Sequence, residues 1–368
     1  MCSFDGNKKR IIESCKRAKE LGARYRLGPE LEISGYGCED HFLEGDTLDH
    51  SIRVLRDILL SGVTQDILCD FGLPLLHRGV RYNVRAICLN GEILCLRPKQ
   101  VLADDGNYRE SRWFSRWSRV GEVDEHVLDP QLAEFARGGV VPFGDLYVQF
   151  KDASIGVESC EELFSPDSPH VRLNLCGVDI IGNGSGSHHQ LRKLNTRVDL
   201  ILNATRKNGG IYLYANQTGC DGGRLGFDGC ALVASQGDLL AQGSQFTLSD
   251  VEVVCATVDL AAARAVRAFS ASRGVQATTE TRADVPFVLV DDWSLCPPES
   301  EASLRVKPSI PIPVRYHAPE EEIALGPAVW LWDYLRRSGA SGYFLPLSGG
   351  RFLNECPRLS LCITNWHR

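Results

Sequence analysis

A thiol, a carboxylate and an ammonium each stand where an apolar run ends: Cys160 in IGVESCEELFSP, Glu30 in GPELEISGYG and Lys99 in LCLRPKQ. Side chains at strand ends project into pockets, so nucleophile, base and fixed cation form a coherent set. Cys160 follows an apolar strand and precedes a helix start expected at Pro166. On such a strand-to-helix turn, backbone N–H groups stabilise a thiolate. A free thiol has a pKa of about 8.5, so attack at neutral pH needs that value lowered or a base to take the proton. Each residue alone has a plainer reading. Cys160 is one of fourteen cysteines and would pass as a small buried hydrophobe, Glu30 as a turn carboxylate and Lys99 as a solvated charge after a hairpin. Only the combination speaks for chemistry.

Other chemistries fit less well. Cys160 with His188 or His189 imitates a Cys–His protease pair, but the His-His dipeptide follows a Gly/Ser loop and no protease signature surrounds the cysteine. The same residues lack companion ligands at metal-site spacing, and no CxxC pair occurs, so no metal site is expected. Gly182, Gly184 and Gly186 alternate, which departs from GxGxxG because position 187 is Ser.

The elements that must position these residues are legible in part. Ile11, Cys15, Ala18 and Leu21 recur at steps of four and three, predicting a helix over roughly 7–21, followed by a strand Ala23 to Leu27 that ends at Gly28-Pro29. Ile52, Leu55, Ile58 and Leu59 predict a second amphipathic helix. Asp66 to Leu76, Val80 to Leu89 and Glu92 to Leu96 read as strands, the last two joined by Asn90-Gly91 as a hairpin. Ala153 to Ser159 and Asp179 to Gly182 are apolar runs of the buried-strand type. Ile211 to Gln217, Gly229 to Ser235, Leu239 to Ala241 and Val251 to Val258 continue the β-rich texture. Strands interleaved with helices predict an α/β fold. The Pro-rich stretch Cys296 to Pro313 reads as an extended linker, placing a first domain at 1–268 and a linker at 269–318. A helix from Pro319 to Arg337 and a strand Gly342 to Leu347 follow, and 351–368 shows no helix or strand period.

Composition narrows the function classes. The 368 residues are 43% apolar and 24% charged, ordinary for a globular protein and sufficient for about two domains. A net charge of -7 gives no basic footprint for nucleic acid or an anionic membrane. No apolar run approaches the roughly 20 residues that span a bilayer, and the polar start MCSFDGNKKR lacks a hydrophobic stretch, so the thiols read as reduced and the chain as cytoplasmic.

Together the Glu30, Lys99 and Cys160 segments resemble the nitrilase (carbon–nitrogen hydrolase) superfamily, whose triad is Glu, Lys and Cys in that chain order. GARYRLGPELEISGYG, RPKQVLADDGNYRESRWF, ESCEELFSPDSPH, NGSGSHHQLRKLNTRVDL and GGIYLYANQTGCDGGRLGFDGC resemble more closely the glutaminase domain of the eukaryotic glutamine-dependent NAD+ synthetase family. PEEEIALGPAVWLWDYLRRSGASGYFLPLSGG looks like the entry to that family's ATP-dependent domain, so the likeness runs from about residue 5 to 350. It implies a four-layer αββα sandwich followed by a stub of an α/β ATP-pyrophosphatase-type domain at 319–350 and an unrelated tail at 351–368. It also implies Glu30 as general base, Cys160 as nucleophile, Lys99 as stabilising cation and Glu110 as the second glutamate beside the lysine. Glutamine would be held through Tyr36, Tyr108, Glu161, Ser185 and Ser187, without a cofactor. The family forms homo-oligomers, so intact synthetase subunits are the partner implied.

Two departures from the family carry expectations of their own. The family opens with a β-strand before its first helix, and this sequence starts almost at that helix, so unpaired backbone and apolar side chains are expected there. Where the family reads SGGVDS to hold ATP with its Mg2+, this chain reads SGGRFL. Ser348, Gly349 and Gly350 are the last matching residues, and the chain is expected to retain at most the glutamine amidohydrolase half. A general small-amide hydrolase and a silent fragment that binds intact synthetase are the alternatives.

Overall fold

The computed structural model describes residues 2–279, 284–297 and 306–344. The chain opens with α1 (Phe4–Glu20), which buries Ile11, Cys15 and Ala18 of the predicted stripe, whereas Leu21, the fourth, caps the helix and is exposed; the chain then turns through Gly22 at φ 77° into β1 (Tyr25–Leu27). A 3-10 segment, Tyr36–Leu43, leads to α2 (Gly45–Leu60), which buries Val54, Leu55, Ile58 and Leu59. Three strands follow: β2 (Leu68–His77), β3 (Val80–Leu89) and β4 (Glu92–Pro98). Asn90 and Gly91 between the last two have φ of 52° and 82°, the left-handed pair that a tight hairpin turn requires.

Further along lie β5 (Val123–Val127), β6 (Val140–Gly144), β7 (Tyr147–Phe150), β8 (Ser154–Ser159), α3 (Pro169–Leu175), β9 (Ile180–Ser185) and α4 (Lys193–Asn208). Then come β10 (Ile211–Asn216), β11 (Thr218–Cys220), β12 (Gly226–Asp228), β13 (Leu232–Ser235) and β14 (Asp238–Gln242). The described chain ends with α5 (Leu260–Phe269), α6 (Ala271–Ala277), β15 (Phe287–Val290) and α7 (Pro319–Ser338).

Two mixed sheets organise these elements. The first runs β1-β2-β3-β4-β6-β5 and the second β14-β13-β10-β9-β8-β7-β15, with β11-β12 as a separate ribbon. Apolar side chains fall into three layers. Ile11, Cys15, Leu55 and Ile58 of the first two helices pack on Phe71, Leu73 and Ala86 of the first sheet. Leu68, Ile87 and Cys95 of that sheet face Val148, Ile155 and Val157 of the second. Leu194, Val198 and Ile201 of α4 cover Ile181, Tyr212 and Leu232 on the far side. The order helix, sheet, sheet, helix is the four-layer αββα sandwich, and β8 and β9, buried along their whole length, lie at its centre.

Several expectations need correction. Val251 to Val258 is not a strand: among the described residues its backbone pairs with no strand, its bonds being those of the Val251 carbonyl, which accepts from Arg17 and Ser249, and of Thr257 with Ser309. Its apolar residues pack inward, but no neighbouring strand offers a ladder. Residues 269–318 are not a free linker in their described parts, since β15 pairs in parallel with β7 and Trp293 and Leu295 enter the core between the sheets. The helical turn expected at Pro166 begins earlier, at Cys160, and α3 starts at Pro169. Gly342 to Phe344 is irregular. The rest of the strand expected there, Ser348 to Gly350 and the tail lie outside the described residues.

Candidate active site

The Glu30 turn is built by a buried arginine. Arg85 donates to the carbonyls of Gly28 (2.6 Å) and Pro29 (2.8 Å), and Asp70 neutralises it at 2.7 Å. Gly72 lets this turn approach β2, because a Cβ there would sit 2.4 Å from the Leu31 nitrogen. Glu30 is thus presented to the interior with no solvent exposure, and Gln217 Nε2 holds its carbonyl at 2.7 Å. One carboxylate oxygen accepts from Lys99 Nζ (2.6 Å) and Asn83 Nδ2 (2.7 Å), the other from the Gly186 amide (3.0 Å).

Lys99 follows β4 and is fully buried. It donates to Glu30 and, at 2.8 Å, to Glu110, which also accepts from Tyr36 Oη at 2.5 Å and from the Ala103 amide at 3.0 Å. Burial works against the ammonium, but Glu110, Glu30 and Cys160 outweigh it and hold the Lys99 pKa well above its ordinary value. Burial first, then the charge on Glu30, push Glu110 up while Lys99 pulls it down.

Cys160 sits where β8 turns into a 3-10 helix, Cys160–Leu163, with φ of 43°. Its amide donates to Asn183 Oδ1 at 3.1 Å, an oxygen that also accepts from Ser185 Oγ at 2.8 Å. Glu162 anchors this elbow to the lysine loop: it accepts from the amides of Ser159 (2.6 Å) and Gln100 (2.5 Å) and pairs with Arg97 at 2.7 Å. Burial and the nearby charge of Glu30 push the Cys160 thiol well up, with Lys99 opposing. The thiol therefore rests protonated. The backbone does not by itself deliver a thiolate, so a base must take the proton during attack.

The remaining residues singled out in the sequence line the same region. Tyr36 and Tyr108 meet edge to face at 6.0 Å, and Tyr108 Oη lies 3.0 Å from the His188 amide, as its acceptor. Glu161 is half-buried, its carboxyl raised by burial, with Lys99 opposing. The Ser185 hydroxyl is committed to Asn183, whereas Ser187 Oγ is buried with no hydrogen-bond partner among the described residues. Gly186 has a steric purpose: a Cβ would fall 2.5 Å from the Tyr36 ring. Gly184 likewise leaves room for Arg85, and Gly182 for the Tyr25 hydroxyl. Gly182 and Gly184 thus admit side chains from the first sheet, and Gly186 one from the 3-10 segment.

Lys193 was not anticipated. Its Nζ lies 5.5 Å from the Tyr108 ring centre and 5.7 Å from that of Phe164, and burial lowers its pKa while Cys160 raises it. Asn83, Asn183 and the Arg97–Glu162 pair were missed as well; each is an ordinary polar residue inside a strand or turn, and only tertiary contact gives it meaning. His188 packs on Tyr108 at 4.7 Å with neither ring nitrogen partnered among the described residues, and burial holds it down at about 4. His189 faces Glu322 at 3.5 Å instead. Among the described residues no group of three or more His, Cys, Asp or Glu is placed to hold a metal ion, and no helix is long and apolar enough to cross a membrane.

A buried Glu–Lys–Glu cluster and a cysteine on a left-handed elbow, carried by an αββα sandwich, fit the class of carbon–nitrogen bond hydrolases. Residues 1–268 match the carbon-nitrogen hydrolase family, and the chain belongs to it. It is 55% identical over 364 residues to a glutamine-dependent NAD(+) synthetase of Mus musculus, covering 98% of this chain and 49% of that protein. It is 54% identical over 352 residues to one of Saccharomyces cerevisiae, covering 94% of this chain and 48% of the relative. The chain thus spans about half the length of the curated relatives it matches. The crystal structure of a glutamine-dependent NAD(+) synthetase from Cytophaga hutchinsonii superposes with a TM-score of 0.60 at 30% identity, over 68% of this chain and 39% of that one.

Proposed function

We propose that the chain hydrolyses the side-chain amide of glutamine, as the ammonia-releasing part of a glutamine-dependent NAD+ synthetase. The observation that carries this reading is the buried contact of Lys99 with both Glu30 and Glu110, with Cys160 on the elbow near them. Glu30 takes the thiol proton as Cys160 Sγ bonds to the amide carbon. The oxyanion forms between the Lys99 ammonium and the Glu161 N–H, at the first turn of a 3-10 helix whose leading amides lack helical partners. The carbon–nitrogen bond breaks as Glu30 returns the proton to departing ammonia, leaving a thioester. Water then attacks with Glu30 as base, releasing glutamate and restoring the thiol. Glu110 and Tyr36 keep Lys99 aimed.

The pocket polarity suits an amino acid. The Glu161 carboxylate and the two phenols answer an α-ammonium, the free Ser187 hydroxyl offers a polar contact, and the Lys193 ammonium answers the α-carboxylate. By the same family reading, 319–350 is the start of the ATP-dependent unit, Ser348, Gly349 and Gly350 are the remnant of its nucleotide-binding motif, the partner is intact synthetase and the compartment is the cytoplasm.

The test is intact-mass analysis and peptide mapping after treatment with an electrophilic glutamine analogue, with Cys160→Ala as control. One adduct, at Cys160 alone among the fourteen cysteines, is expected. Soluble folded protein that takes no label, or a substrate panel in which glutamine is not preferred, would overturn the reading.

A further inference from the structure

The helix that presents Lys193 starts on a backbone the sequence does not favour. Arg192, at the head of α4, has φ of 66°, a left-handed conformation that side chains other than glycine rarely adopt, and its own side chain makes no cap. Support comes from a residue 130 positions further on: Glu322 Oε2 accepts from the Arg192 amide at 2.9 Å, and Oε1 lies 3.5 Å from Arg192 Nη1. That amide has no other acceptor among the described residues. Glu322 is 1% exposed, with His189 Nε2 at 3.5 Å on its other side. The helix that carries it, α7, is pinned independently, since Asp333 accepts from the Cys220 amide at 2.9 Å and Trp330 Nε1 donates to the Leu225 carbonyl at 3.1 Å. A negative charge at the head of α4 also suits the helix dipole.

We infer that Glu322 is a positioning residue for Lys193, holding in place the ammonium that grips the α-carboxylate of the substrate; the inference rests on the glutamine reading above. Lys193 is the first residue of α4 and adjoins the left-handed Arg192, while its Nζ lies over the Tyr108 and Phe164 rings. Without its acceptor, Arg192 relaxes toward an ordinary backbone angle and turns the start of α4. A displacement of about 1 Å at a group that holds substrate is enough to weaken its hold severely. Glu322 faces Arg192 and His189 rather than Glu30, Lys99 or Cys160, so its loss acts on substrate holding and not on bond breaking. A residue that merely stabilised the fold would affect every substrate alike.

The test compares glutamine with γ-aminobutyramide, which is glutamine without its α-carboxylate, on the full chain. Glu322→Ala is expected to raise KM for glutamine about five- to tenfold with kcat within about twofold, and to leave both constants for γ-aminobutyramide unchanged. Glu322→Asp, a gentler change, keeps the charge but withdraws the acceptor by one methylene, and should raise KM for glutamine alone. Glu322→Gln keeps an acceptor at full reach and should stay within about threefold of the parent. Adding Glu322→Ala to Lys193→Ala should raise KM no further than Lys193→Ala does, because residues that act through one contact do not add. Equal losses on the two amides, effects that multiply in the double variant, or an unchanged KM in both Glu322→Ala and Glu322→Asp overturn the inference while a parent that prefers glutamine keeps the functional reading. A parent that treats the two amides alike overturns both.

Discussion

Arg97 Nη1 lies 2.7 Å from Glu162 Oε1 in the centre of the sandwich, both side chains almost fully buried. The pair joins β4, which leads into Lys99, to the elbow that carries Cys160. Removing one partner of a buried ion pair strands the other charge, at a cost of about 3–5 kcal/mol. Arg97→Ala should lose that much in urea unfolding. An Arg97→Met/Glu162→Leu double variant should recover only part of the stability, because the buried Gln100 and Ser159 amides lose their acceptor at about 1–3 kcal/mol each, and should still hydrolyse glutamine poorly, because Glu162 no longer ties those amides together. A double variant with full activity would show that the pair does not position the elbow.

Cys160→Ala should fold normally and release no ammonia above background. Glu30→Gln keeps the shape of the turn but removes the base, and should be comparably inactive. Lys99→Met removes one of the two proposed oxyanion donors, and losing such a donor typically costs about 2.7–4 kcal/mol of barrier. That is roughly a hundred- to thousandfold in kcat, read by a coupled ammonia assay. Because Lys99 also balances Glu30 and Glu110, its loss should lower thermal stability as well. A lysine variant within tenfold of the parent would remove it from the reaction.

Lys193 should matter to binding more than to bond breaking. A charge-assisted hydrogen bond to the substrate carboxylate is worth about 1.5–3 kcal/mol, so Lys193→Ala should raise KM roughly ten- to hundredfold with kcat little changed. Lys193→Arg should restore most of the affinity, and a fall in kcat alone would move Lys193 out of the binding role.

What the sequence made legible follows from how local each signal is. The α1 and α2 stripes, apart from the exposed Leu21, and the Asn90-Gly91 hairpin are short-range patterns and appear as expected. The positions of Glu30, Lys99 and Cys160 at strand ends were equally readable. Their convergence was not, since β1, β4 and β8 are brought together only by two sheets packing face to face. Val251–Val258 shows the opposite failure: its composition suits a strand, but strand formation needs a neighbour and β1 does not reach it. Lys193 escaped notice because a basic residue opening a helix looks solvated, and only Tyr108 and Phe164 reveal it as a pocket residue.

His126 gives the fold a dependence on pH away from the candidate site. Its Nδ1 lies 3.0 Å from His77 Nδ1, and His77 Nε2 lies 3.2 Å from Asp124. Burial first, then the charge of His77, push His126 down from 6.5 to about 4. The unfolded chain binds a proton at this residue as pH falls through about 6.5, whereas the folded chain resists until about 4. Between those values the unfolded state holds more protons, so the stability present above pH 6.5 declines steadily toward pH 4. His188, also held at about 4 by burial, adds to the decline in the same window. Urea midpoints measured at half-unit steps from pH 4.5 to 7.5 should fall more steeply for the parent than for His126→Gln, the two curves converging as pH drops. Parallel curves across that range would mean that His126 takes up its proton as readily in the folded chain as in the unfolded one.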